Sequence, residues 1–350
     1  MKRIALTLSI FILLLSACTS QDTATPSGPQ ILTVMTHDSF SVSDGVVQAF
    51  EQANNARLVF LKSGDAGTTL NKAILAKSAP LADVLFGVDN TFLSRAIEED
   101  IFDTYDSPEL ENIADEFKLD PSNRALPVDF GDVCINYDKA YFAENNLPVP
   151  QSLEDLTKQE YKDLLVVENP ATSSTGLAFM LATVAHYGDS FTEYWQALKD
   201  NGVVVVDGWE TAYYTNFSAS SGNGPQPLVV SYGTSPAAEV VYAEKPLDDA
   251  PTASILGPDT CFRQIEFVGI LKETGQRDLA EKFVDFMLSQ QFQEDVPLQM
   301  FVYPVNQNAA LPEAFTKYAQ APSQTATLTP EAIAANRDAW IKSWTDVVLK

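Results

Sequence analysis

Histidine and cysteine are nearly missing from this chain, with two of the former and three of the latter in 350 residues. A metal centre needs such ligands, or carboxylates, clustered at short spacing, and His37 and His186 have no near partner in sequence, so no metal site is expected. Also absent are a GxSxG elbow, a phosphate-binding P-loop and a dinucleotide fingerprint; the Gly-rich SGDAGTT at residues 63–69 lacks the lysine and the spacing of a P-loop. Nothing here obviously makes or breaks bonds, and neither an enzyme nor a cofactor is expected. Basic residues are scarce too, 22 Lys plus Arg against 47 Asp plus Glu, for a formal charge of −25. So acidic a surface argues against nucleic acid and anionic lipid as partners and suits a soluble body, with a cationic ligand as one further reading.

Long apolar runs are confined to the N-terminus. Lys2 and Arg3 precede an apolar stretch at residues 4–15, far short of the roughly 20 residues that cross a bilayer, so the segment reads as an export signal. Its end, LSAC, resembles the lipobox of bacterial lipoproteins, which makes residues 1–18 the signal and Cys18 the lipidated first residue of the mature chain. The polar, Pro/Gly/Ser/Thr-rich residues 19–30 read as a disordered tether. The remaining body, about 320 residues, is long enough for two packed lobes. Cys134 and Cys261 are then an even pair in an exported protein. A disulfide is the simplest reading and would stabilise the fold by roughly 4–5 kcal/mol; two buried free thiols are the alternative.

Strand-like and helical runs alternate through the first half: ILTVMT, a helix around Val46, Val47 and Phe50, ARLVFL, and a helix from about Thr68 with Leu70, Ile74 and Leu75 on one face. A strand at residues 83–86, expected to break at Gly87, follows. The pattern predicts βαβ units in a mostly parallel sheet, with ligands at the carboxyl ends of the strands. Three such ends are polar: His37, Asp38 and Ser39; residues 63–69; and residues 87–90. In the middle of the chain, SLEDL starts a helix with Ser152 as N-cap, and Ser173, Ser174, Thr175 and Gly176 open a long helix. VVVVDG reads as a buried strand ending at Trp209, and PLVVSYGTSPA as another ending in Tyr232, Gly233, Thr234 and Ser235. At the C-terminus, Thr329 and Pro330 begin a helix with Ile333, Trp340, Trp344 and Val348 as its apolar stripe. The edge loops supply carboxylates, hydroxyls and aromatic faces without an arginine, which suits a flat heteroaromatic or cationic organic ligand.

Taken in order, the lipobox, LTVMTHDSF, ADVLFGVDN, NPATSSTGLAFML, DGWETAY, VVSYGTSPA, FVDFMLSQQFQEDVP, VYPVN and TPEAIAANRDAWIKSW resemble the periplasmic thiamine-binding proteins of bacterial ABC importers. The resemblance implies an α/β type II periplasmic-binding fold: two α/β lobes, a hinge and a ligand cleft between them. It divides the body into a first part of lobe 1 (31–135), lobe 2 (136–260) and a return to lobe 1 with the C-terminal helices (261–350). Cys134 and Cys261 then fall where the hinge strands run side by side. The implied ligand contacts are Asp65, Ala66, Ser173, Ser174, Trp209, Tyr232, Gly233, Thr234 and Ser235, with Asp38, His37 and Phe301 as further candidates. His37, Phe301 and Ala238 stand where the resembling proteins carry aromatic residues (tyrosine, tryptophan and tyrosine), so a pocket with fewer aromatic walls is expected. Were His37 to line a cationic ligand, binding would weaken as it protonates below about pH 6.5.

The implied function is a lipid-anchored, exported, monomeric receptor that captures thiamine or its phosphate esters and delivers it to a membrane permease and its ATPase. Two other readings keep the fold: a receptor for hydroxymethylpyrimidine, a polyamine or another small cation, and a thiaminase-like enzyme with Cys134 or Cys261 as its nucleophile.

Overall fold

The computed structural model describes residues 28–219 and 222–350. The signal, Cys18 and most of the expected tether therefore lie outside the described residues. The folded body starts slightly earlier than expected, since Gln30 is already paired with Ala56 in the first strand pair.

The first third runs β1 (Gln30–Thr36), α1 (Asp44–Asn54), β2 (Ala56–Lys62), α2 (Ala66–Leu75), β3 (Val84–Asp89), α3 (Leu93–Glu98), the short β4 (Phe102–Asp103) and the long β5 (Leu126–Asp138). Next come α4 (Lys139–Glu144), β6 (Leu165–Glu168), α5 (Ser174–Tyr187), α6 (Phe191–Asp200), β7 (Val204–Val206), the single turn α7 (Trp209–Thr211), β8 (Leu228–Tyr232), α8 (Ser235–Val241) and β9 (Thr252–Ile255). The chain closes with β10 (Phe262–Leu271), α9 (Arg277–Leu288), α10 (Gln290–Gln299), β11 (Tyr303–Pro304), α11 (Glu313–Tyr318) and α12 (Pro330–Val348).

The strands join in one path, β2-β1-β3-β10-β5-β8-β6-β7, with β4 on β10 and both β9 and β11 on β5. The sheet is mixed, not mostly parallel. β1 pairs in parallel with β2 and β3, and β6 with β7 and β8, but β10 is antiparallel to β3 and β5, and β5 to β8. The local βαβ pattern describes the two ends; the long β5 and β10, which join them, run against their neighbours. Cys134 on β5 and Cys261 beside β10 form a disulfide, so the two central strands are covalently tied.

Local chemistry sets the elements. Asp65 caps α2 through the Ala66 N–H, and Thr329 caps α12 through the Ala332 N–H. α5 is buried from Ser174 to Val184 on every face, consistent with its unbroken apolar run. Gly176 lets it start against β6, because a Cβ there would lie 2.4 Å from the Glu168 carbonyl oxygen.

Several expectations fail on burial or length. Leu75 is 86 % exposed at the frayed end of α2. Residues 204–206 form a half-buried edge strand, not a buried one. Ser152 precedes only a short 3-10 turn, Glu154–Thr157. β3 does not break at Gly87 but continues to Asp89 with Gly87 at φ 97°. At the C-terminus α11 packs on α8, and α12 lies against both α6 and α3. There Trp344 meets Trp195 edge-on at 5.4 Å, and the Arg337 guanidinium sits over Phe92 at 5.7 Å. Among the described residues no helix is long and apolar enough to cross a membrane, and no three His, Cys, Asp or Glu side chains are grouped to hold a metal.

Candidate functional site

The carboxyl ends of β1, β2, β7 and β8 converge on a cavity of about 1040 Å³, at the upper end of the roughly 300–1,000 Å³ usual for small-molecule pockets. Of the twelve residues expected at the ligand, His37, Asp38, Trp209, Tyr232, Ser235 and Phe301 line it. Asp65, Ala66, Ser173, Ser174, Gly233 and Thr234 are not among its lining residues.

The β1 loop meets the β2 loop through backbone and carboxylate. The Asp38 N–H donates to the Gly64 carbonyl at 3.0 Å, and Asp38 Oδ1 accepts the Gly64 N–H at 2.8 Å. Lys62 Nζ, among the described residues the one Lys or Arg in the lining, donates to the Asp38 carbonyl at 2.7 Å. His37 is buried, with Nδ1 2.9 Å from Ser39 Oγ and Nε2 3.5 Å from Glu266 Oε1. Gly87 makes room for its ring, since a Cβ there would fall 2.3 Å from His37 Cδ2. Burial first, then the Lys62 charge, lowers the imidazole pKa to about 4. The expected loss of binding near pH 6.5 through His37 is therefore corrected: the ring stays neutral down to pH 5.

Asp65 joins the two sides of the cleft. Its Oδ1 accepts the N–H groups of Ala66 at 2.7 Å and Ser174 at 3.2 Å, and its Oδ2 that of Trp209 at 3.0 Å. Thr68 adds a backbone bond to the Thr172 carbonyl at 3.3 Å along the same seam. Burial raises the Asp65 pKa, and these backbone donors oppose the shift. Ser173 is fully buried with its hydroxyl 3.0 Å from Thr175 Oγ1, so the helix start is engaged in the protein's own contacts.

The aromatic wall is built on Trp209. Its indole N–H donates to Ser231 Oγ at 2.9 Å, and its ring stacks on Tyr213 at 5.1 Å with 21° between planes. Tyr214 meets it edge-on at 5.4 Å and Tyr232 at 6.4 Å. Tyr232 OH donates to Gln264 Oε1 at 2.7 Å, and Ser235 Oγ lies 2.8 Å from Ser231 Oγ. Across the cavity Phe301 holds a left-handed backbone, φ 61°, with Tyr242 edge-on at 5.1 Å and the Thr234 hydroxyl donating to its carbonyl. Thr234 thus positions Phe301. Gly233 donates its N–H to the Asp132 carbonyl at 2.8 Å and passes the Cys134 sulfur.

Tyr213, Tyr214, Tyr242, Glu210, Glu239 and Glu266 also line the cavity and were not foreseen. The expected thinning of the aromatic wall is made good by the three tyrosines. Tyr213 and Tyr214 lie in a π-helical turn, Ala212–Asn216, just after Trp209, where a strand end had been read. Glu266 carried a signal: a single carboxylate inside the otherwise apolar run IEFVGIL.

A continuous mixed sheet with helices on it and a ligand-sized cleft at its strand ends defines a type II periplasmic-binding fold. The chain belongs to the bacterial extracellular solute-binding proteins, whose family model matches residues 79–323. It is 32 % identical over 342 residues to a thiamine-binding periplasmic protein of Salmonella typhimurium (95 % of this chain, 97 % of that one), and 32 % over 337 residues to one of Escherichia coli (95 % and 96 %). A solved periplasmic thiamin binding protein superposes with a TM-score of 0.80 at 30 % identity, covering 91 % of this chain and 96 % of that one. A ferric binding protein from Campylobacter jejuni, 17 % identical over 90 % of this chain and 99 % of its own, shares the fold at a TM-score of 0.70. The resemblance drawn from the motifs therefore holds along the chain, and this is an exported solute-binding protein of a transport system, not an enzyme. The disulfide removes the nucleophile that a thiaminase-like reading required of Cys134 or Cys261.

Proposed function

We propose that the chain captures thiamine in the cavity between its two lobes and delivers it to an ABC permease and its ATPase as a monomer held to the membrane through a lipid on Cys18. The observation that carries the ligand is the cavity lining: Trp209, Tyr213, Tyr214, Tyr232 and Tyr242 face it together with Asp38, Glu210, Glu239 and Glu266, and among the described residues no arginine does. Aromatic faces and carboxylates around one cavity favour a flat organic cation. Thiamine fits that description better than its phosphate esters, because the α5 N-terminus already gives its Ser174 N–H to Asp65.

The lobes take residues 31–135 and 136–260, with residues 261–350 returning to the first and α12 crossing between them. Asp65 in one lobe, bonded to Ser174 and Trp209 in the other, favours the closed arrangement that a permease would read. Calorimetric titration tests the reading. One molecule of thiamine should bind per chain, with weaker binding of the phosphates, hydroxymethylpyrimidine and polyamines. Absence of both heat and thermal shift with thiamine and its phosphates would overturn it.

A further inference from the structure

Glu266 sits in the middle of a row of acids that crosses the centre of the sheet. The strand register sets it opposite Asp89 on β3 and opposite Asp129 on β5, so the three carboxyl groups share one face. Asp89 is fully buried and occupied, accepting from the Thr91 and Phe92 N–H groups, the Thr91 hydroxyl and Gln264 Nε2. Asp129 is fully buried, and among the described residues no N–H or hydroxyl donor reaches either of its oxygens. Glu266, 6 % exposed, is the member of the row that lines the cavity. The charged and titratable groups around it are His37 just after β1, Asp89 from β3, Asp129 from β5, Tyr232 from β8 and Asp65 before α2. His37 is neutral, Tyr232 keeps its proton, and Lys62 is bound to the Asp38 carbonyl. Among the described residues no side-chain cation is paired with the row.

Two adjacent buried carboxylates with no donor between them cannot both stay ionised, and one proton held between them removes the conflict. Burial holds both groups above the usual carboxylate range, and the Asp129 charge raises Glu266 further. We propose that Glu266 is a ligand-recognition residue that shares a proton with Asp129 in the empty cleft and releases it when a cationic ligand enters. The proton passes to the buffer, and the ligand's positive charge takes its place beside the ionised pair. The inference rests on the thiamine reading and adds to it a specific acid and a proton stoichiometry.

The test is calorimetric titration of the full chain with thiamine at pH 7, in phosphate and in Tris, whose ionisation enthalpies differ widely. The wild-type heat should differ between the buffers by the amount for release of up to about one proton. E266Q should show no buffer dependence and bind thiamine about tenfold or more weakly. The same heat in both buffers for the wild type, with thiamine bound, overturns the proposal and leaves the thiamine reading standing; this arm needs no variant to fold. A wild type that takes no thiamine overturns both. E266Q binding thiamine as tightly as the wild type also overturns the proposal.

Discussion

Trp209 shows how much of a site can rest on one side chain. Its backbone N–H holds Asp65 across the cleft, its indole N–H holds Ser231, and its ring, half-buried on the small apolar cluster of Val166, Ala212, Tyr213 and Phe217, faces the cavity. Replacing it by alanine keeps the backbone bond to Asp65 and removes the wall together with the indole bond to Ser231. W209A should therefore weaken thiamine by about 2 kcal/mol, roughly thirtyfold in Kd, with little change in unfolding midpoint. An unchanged Kd would take the ring out of the site. Asp65 gives the complementary lesson. It matches the resemblance by position, yet its two oxygens are satisfied by three backbone N–H groups, which hold the β2–α2 loop to the starts of α5 and α7.

Among the elements, β5 and β10 matter most, and they were the least legible. The motifs placed hinge strands near Cys134 and Cys261 only through the resemblance, and nothing in LPVDFGDVCINYD says that it will lie antiparallel to β10 and β8, because that choice depends on partners more than 90 residues away. Gly87 misled for a related reason. A glycine inside a strand pattern signals a break or a close approach, and which one depends on the His37 ring packed against it from another loop. Where the determinants are local, the sequence could be read directly: the Thr329-Pro330 start of α12 and the strand ends carrying His37 and Tyr232. The disulfide belongs to this scale because it ties the two crossing strands across a sequence separation of 127. A C134S/C261S double variant should lose about 4 kcal/mol of stability in urea unfolding. Its thiamine Kd should change little, since neither sulfur reaches the cavity. An unchanged urea midpoint would show that the sheet holds β5 and β10 together without the bond.

For the whole molecule, the buried acids make stability depend on pH in a direction opposite to ordinary acid denaturation. Burial raises the pKa of Asp65, Asp89, Asp129, Glu168 and Glu266, with Asp89 at about 6. A carboxyl with a raised native pKa binds its proton in the folded chain where the unfolded chain has lost it. Its contribution is complete below about pH 4 and disappears as the pH rises through the native value. His37 works the other way: lowered to about 4, it costs stability as the pH falls from 6.5. Against this one lowered histidine stand these acids and Glu210, also raised by burial, and the surplus negative charge of −25 adds repulsion on the acids' side. The ligand-free protein should therefore unfold at a higher temperature at pH 6 than at pH 8. Even one group titrating across that interval gives up to about 1.4 kcal/mol per pH unit, a shift of a few degrees for a chain of this size. Thiamine should raise the midpoint more at pH 8 than at pH 6, because the cation then replaces protons that the empty cleft has already lost. A ligand-free midpoint that is flat or rises between pH 6 and pH 8 would mean that the buried carboxyls titrate at ordinary values, with water or a cation in the cleft supplying the missing balance.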